Sequence, residues 1–179
     1  MSKLLKYTRI ERERRFLLAE LPAQIDPAAG YQQLDDLYLD GTRLRLRSVR
    51  SPVGAVIEQK LNQKQQTPTG DAAHRIITSV YLDAAEYAAL AALPGLPLAK
   101  RRYAYLHEGR AFGIDVFGGP LTGLLLAEIE LESEDELRAL PIPAFAHSEV
   151  TELPLFTGGS LVREPGGALR EARRMLGLG

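Results

Sequence analysis

From Ile10 to Glu132 the chain alternates apolar with charged or polar residues in short runs bounded by turn signals, a period of two that predicts strands with one apolar and one charged face. The runs are Ile10 to Leu18, Gln33 to Leu39, Thr42 to Ser48, Ala55 to Leu61, His74 to Leu82, Leu98 to His107, Arg110 to Phe117 and Leu124 to Glu132. Leu21-Pro22 and Asp26-Pro27 break the path after the first, and Asp40-Gly41 marks a hairpin after the second. Asn62 to Ala73 is polar, holds Pro68 and Gly70, and predicts a loop. Besides a short helix or turn between Leu21-Pro22 and Asp26-Pro27, helices are expected in three places. Asp83-Ala84-Ala85-Glu86 is a capping-box start to an alanine-rich packing helix ending near Leu93, and Ser133-Glu134-Asp135-Glu136 starts another to Leu140. Pro165 to Leu176 forms a short basic helix, read as a solvated amphipathic tail after the irregular stretch His147 to Val162. Eight hairpin-linked strands with few helices predict an α+β, mainly β fold: an eight-stranded antiparallel barrel with packing helices.

The faces carry the chemistry. Phe16, Leu44, Leu46, Ile57, Ile76, Tyr103, Ile114 and Ile129 fall on the apolar side, expected to pack against helices. The opposite side collects Glu11, Glu13, Arg15, Arg43, Arg45, Arg47, Lys60, Arg75, Lys100, Arg102, Asp115, Glu128, Glu130 and Glu132. Carboxylates two apart on a strand stand about 7 Å from each other, so Glu11 with Glu13 invites a cation between them, while Glu128, Glu130 and Glu132 share one face as an acidic counterpart of the arginine strand. Arginines repeated along one face, as in Arg43-Leu44-Arg45-Leu46-Arg47, repel unless anions screen them, which points to a polyanion. So many charges cannot form a dry core. A wet tunnel accommodates them, and mixed cations and carboxylates suit a polyphosphate bridged to a divalent metal.

Composition narrows this further. With 179 residues the chain fits a single domain, 1–179, with 163–179 as the C-terminal basic helix or tail. It contains no cysteine, so disulfides and thiolate metal sites are excluded and the metal ligands must be oxygen or histidine. That favours Mg²⁺, Mn²⁺ or Ca²⁺ over structural zinc. Lys plus Arg number 22 against 23 Asp plus Glu, so bulk charge gives no attraction to nucleic acid and no specific nucleic-acid binding is expected. Met1 to Lys6 lacks the apolar core of a signal peptide and no apolar run spans a bilayer, so a cytoplasmic protein without membrane contact is expected. His74, His107 and His147 fall near loops and strand ends and are given no catalytic role.

Taken in order, the motifs resemble those of the CYTH domain, or triphosphate tunnel metalloenzyme, superfamily. Glu11-Arg12-Glu13-Arg14-Arg15 resembles its ExExK signature with arginine in the lysine position, and Arg43 to Arg47 its basic strand, with Lys60 ending the next. Lys100-Arg101-Arg102-Tyr103, Asp115-Val116-Phe117, Gly123-Leu124 with Ala127-Glu128-Ile129-Glu130, and Glu149-Val150-Thr151 follow in the family's order. The resemblance implies a triphosphate-binding barrel dependent on Mg²⁺ or Mn²⁺. It implies Glu11, Glu13, Glu128 and Glu130 as metal ligands, and Glu11, Glu13, Asp115 and Glu130 as catalytic, with Asp115 orienting a second metal and its water. It implies Arg15, Arg43, Arg45, Arg47, Lys60, Arg75, Lys100 and Arg102 as phosphate ligands, and it allows a homodimer. The expected function is hydrolysis of inorganic tripolyphosphate or a small organic triphosphate. The alternatives are a class IV-like adenylate cyclase and a non-catalytic polyphosphate or nucleotide binder.

Two departures bear on that choice. Where many relatives have R-x-E-x-E, this chain has Arg75-Ile76-Ile77-Thr78-Ser79, which removes two carboxylates from the charged face. Arg15 replaces lysine with a planar fork that does not give up a proton.

Overall fold

The computed structural model describes residues 7–28 and 30–178. The reading of Met1 to Lys6 therefore concerns residues outside those described. Eight strands alternate direction around a closed barrel: β1 (Arg9–Leu17), β2 (Tyr31–Leu39), β3 (Leu44–Arg50), β4 (Val56–Gln66), β5 (His74–Tyr81), β6 (Gly95–His107), β7 (Arg110–Phe117) and β8 (Leu125–Glu130). Their order is β5-β4-β3-β2-β6-β7-β8-β1, and β1 closes the ring by pairing with β5. Every pairing is antiparallel. The two-residue β9 (Ser148–Glu149) adds to β1 opposite Leu17 and Phe16, beyond the end of β5. The helices are α1 (Ala84–Ala91), α2 (Glu134–Ala139), α3 (Gly158–Arg163) and α4 (Pro165–Met175), with 3-10 turns at Gly119–Leu121 and Pro154–Phe156. No helix among the described residues is long and apolar enough to cross a membrane.

Two apolar clusters hold the barrel, one on each side of its wall. Phe16, Tyr103, Phe112, Ile114, Ala127 and Ile129 point outward and are covered by Leu18, Leu140 and the flanking Leu21, Ile25 and Phe145. Leu17, Leu98, Phe117 and Leu126 point inward at one end of the lumen, where they meet Val150, Phe156, Leu161, Ala168 and Ala172. The last three lie on α3 and α4, so the segment expected as a solvated tail has one buried face instead. Its alanines are small enough to seat the helix closely on the barrel end, which the basic residues on its other face conceal in the sequence.

Three further expectations change. β4 continues to Gln66, so the predicted loop Asn62 to Ala73 is half strand. Polar residues on both faces gave that stretch no apolar signal. Ile57, expected to pack, is 54% exposed near the start of β4, and α1 buries none of its own residues. Arg43 lies in the turn before β3, and Glu132 lies beyond the end of β8, both exposed.

Gly95 stands opposite Leu39 at the start of β6, where an added Cβ would come 2.6 Å from the Tyr38 carbonyl oxygen. A backbone atom cannot swing aside, so Gly95→Ala is expected to lower unfolding free energy by about 1–3 kcal/mol, the usual range for overpacking, measured by urea denaturation.

Candidate active site

The barrel register sorts side chains without ambiguity, because directly opposed residues share a face. Arg45 opposes Asn62, and Arg47 opposes Lys60; Lys64 opposes Ile77, and Glu11 opposes Arg75. Glu13 opposes Glu130, Arg15 opposes Glu128, and Arg102 opposes Asp115. These residues line one cavity of about 1560 Å³ that runs through the lumen, although Asp115 lies behind Arg102 in its wall. The other expected phosphate ligands, Arg43 and Lys100, also line it, Arg43 from the β2–β3 turn. Alternation thus brings almost all of the predicted site residues to one interior.

The carboxylates form a group on β1 and β8. Glu13 and Glu130 oppose each other directly, an arrangement that costs energy unless a cation intervenes. Burial, then the neighbouring charges of Glu128 and Glu11, pushes the Glu13 carboxyl above the usual range, against the pull of Lys64 and Arg15. Glu11 goes the other way. Burial alone would raise it, but the Lys64 ammonium, which donates to Glu11 Oε2, and the Arg45 charge hold it below the usual range. Glu128 is likewise buried yet held well down by Lys100, Arg102, Lys64 and Arg15. Glu130 sits at the rim, 3.2 Å from Arg9 Nη1.

The cations fall into two kinds. Some are fixed by carboxylates. Arg47 donates to both oxygens of buried Asp36, at 2.6 and 2.7 Å, and its neighbour Arg45 holds Asp36 Oδ2 at 3.8 Å. Arg102 donates to Asp115 Oδ1 and Oδ2, each at 2.6 Å, and to Glu128; Lys100 donates to Asp115 as well. Asp115 is fully buried between these cations, so it faces ammonium and guanidinium groups where a second metal was expected. Others keep capacity toward the lumen. Arg15 is tethered by Nη2 to the Thr151 carbonyl at 3.2 Å, yet its buried Nε has no hydrogen-bond partner, and Arg45 Nε is in the same state. Both residues line the cavity, and a buried donor without an acceptor is costly unless a bound group supplies one. Arg75 is held by the carbonyls of Asp71 and His74, whereas Lys60 belongs with the first kind, paired with the Glu58 carboxylate at 2.6 Å.

Sequence reading missed Asp36, Tyr38, Asn62 and Lys64. Asp36 and Tyr38 share the inward face of β2, where the strand pattern was read for length alone. Asn62 and Lys64 lay in the presumed loop. Asn62 bridges Arg45 and Ser79, at 2.8 and 2.7 Å, and so occupies Ser79, one of the two positions without its carboxylate. Among the described residues a separate potential metal-ligating group, Asp71, His74 and Glu134, lies on the outer wall with its ligand atoms within 4.8 Å of one another. Its two carboxylates lie on opposite ring nitrogens of His74, so the ring can turn only one nitrogen to a given ion.

Fold and site together define a tunnel protein: a closed antiparallel barrel whose lumen pairs a carboxylate group with a cationic wall. No family model matches the chain. An inorganic triphosphatase of Nitrosomonas europaea is 30% identical over 148 residues, covering 79% of this chain and 89% of that protein. A crystal structure of an inorganic triphosphatase superposes with a TM-score of 0.57 at 28% identity, over 85% of this chain and 93% of the other. A structure described as a hypothetical protein gives a TM-score of 0.56 at 28% identity, over 85% and 97%. The chain belongs to the CYTH, or triphosphate tunnel metalloenzyme, superfamily.

Proposed function

We propose that this protein is a metal-dependent triphosphatase that hydrolyses inorganic tripolyphosphate inside its tunnel. The observation that carries the reading is one cavity lined both by the cations Arg15 and Arg45, each with a buried Nε lacking a partner, and by the opposed carboxylates Glu13 and Glu130. One set awaits an anion and the other a cation. The likeness to a protein named inorganic triphosphatase supports the substrate class.

The donor set is all oxygen, which fits Mg²⁺ or Mn²⁺, and Glu13, Glu128 and Glu130 would hold the ion, with Glu11 beside them engaged by the Lys64 ammonium. When bound, such an ion neutralises phosphate oxygens and acidifies water. The protein's own part is positioning and charge. Arg15, Arg45, Arg75 and Lys60 bind phosphate oxygens, with Arg43 at the mouth. Asp115 aligns Lys100 and Arg102, and Asp36 aligns Arg47, so these three cations meet substrate already oriented. Water attacks the terminal phosphorus in line, the phosphoanhydride bond breaks, and orthophosphate and pyrophosphate leave.

The test is phosphate release from tripolyphosphate, ATP and thiamine triphosphate with Mg²⁺, Mn²⁺ or chelator, with cyclic AMP measured in the ATP sample. Metal-dependent orthophosphate from tripolyphosphate is expected. Cyclic AMP would establish the cyclase instead, and binding without turnover would establish a polyphosphate-binding protein whose Ile77 and Ser79 mark lost catalysis. Within the triphosphatase, Arg45→Ala is expected to raise KM about 10- to 100-fold, the loss of one charged hydrogen bond of roughly 1.5–3 kcal/mol, with a smaller change in kcat. An unchanged KM removes Arg45 from the phosphate set.

A further inference from the structure

Lys64 stands where the carboxylate group needs a cation, and the fold explains how it gets there. Because β4 runs on to Gln66, residue 64 falls at an inward position directly opposite Ile77 of β5. Its ammonium crosses to β1 and donates to Glu11 Oε2, although β4 and β1 are not neighbours in the barrel. The Glu11 side chain is 9% exposed and Lys64 32%, so the pair sits just inside the lumen. Around it, the next strand offers no further acid: Ile77 is apolar and buried, and Ser79 accepts from Asn62. The place a second divalent ion would take beside Glu11 is thus already held by an ammonium.

We propose that Lys64 is a built-in cation that takes the place of a second divalent metal, so that the tunnel holds a single ion on Glu13, Glu128 and Glu130 while Glu11 stays paired with Lys64. The inference rests on the tunnel reading given above. It makes Lys64 a positioning residue: its charge keeps Glu11 from joining the ion, and it supplies one fixed positive charge beside the phosphate path without the need for a high free-metal concentration. Ile77 and Ser79 then belong to the same arrangement, since an acid at either position would compete with Glu11 for the ammonium.

The experiment is a Mn²⁺ titration of the metal-free chain followed by electron paramagnetic resonance, which counts bound ions independently of turnover. The wild type is expected to bind one Mn²⁺ per chain, Lys64→Met to bind two, and Lys64→Arg to bind one, with thermal melting confirming that all three fold. Two ions on the wild type, or one on Lys64→Met, overturns the assignment. If no chain binds Mn²⁺ the inference also falls, and the tunnel reading falls with it only if the wild type releases no phosphate from tripolyphosphate in Mn²⁺.

Discussion

Glu13→Gln is expected to cut metal-dependent phosphate release about 10³-fold or more, equivalent to about 4 kcal/mol of transition-state stabilisation, with the fold intact. The residue sits at the centre of the carboxylate group, opposite Glu130 and two positions from Glu11. The amide keeps its shape and removes the charge on which a divalent ion depends. The same change carries a second signature without metal. Burial and the charges of Glu128 and Glu11 raise the folded-state pKa of Glu13, so its ionised form is penalised in the native state above that pKa. The penalty disappears as pH falls below the ordinary carboxylate value, where the group is protonated folded and unfolded alike. Metal-free Glu13→Gln is therefore expected to melt above the wild type at pH 7, and the difference to vanish on acidification. Scanning calorimetry across that range measures it. Unchanged phosphate release would remove Glu13 from the metal site.

Asp115→Asn is expected to be the most destabilising single change in the tunnel, by roughly 3–5 kcal/mol, the cost of leaving buried charges without their partner. For a chain of this size that corresponds to a melting point about 10 °C lower. The Asp115 side chain is wholly buried and accepts from both Lys100 and Arg102. An amide would offer its own N–H groups to two cations, and only Glu128 would remain for them. Burial and the adjacent Arg102 already depress the Lys100 pKa, against the pull of Asp115. Removing the carboxylate depresses it further, so that the Lys100 ammonium is lost at lower pH. Denaturant titration gives the stability term, and a wild-type midpoint would show that Asp115 does not anchor this wall.

The alternation that revealed the barrel also revealed its lumen, because a strand shows its two faces in sequence. Glu11, Glu13 and Arg15 were legible for that reason, and so were Lys100, Arg102, Glu128 and Glu130. What alternation cannot show is which inward charges face each other across the ring. Arg47 reads as one more phosphate ligand until β2 places Asp36 beside it. Asp115 reads as a metal carboxylate until β6 places two cations on it. Lys64 was hidden for another reason: Asn62 to Gln66 is polar on both faces, so it resembles a loop although the barrel makes it strand. The C-terminal helix was misjudged because its buried contacts are alanines, which carry little hydropathy beside its arginines.

The position of β1 also dictates how the protein is made. Residues 9–17 leave the ribosome before any of their partners, which are β5, then β8, and last Ser148 and Glu149 on β9. Arg14 is clamped by Glu149, 135 positions later. The first strand must therefore wait, unpaired on at least one edge, until most of the chain has been synthesised. Ring closure through such distant contacts is slow, and it exposes a strand edge meanwhile. Repeated charges such as those of Glu11-Arg12-Glu13-Arg14-Arg15 disfavour pairing of an open edge with another chain.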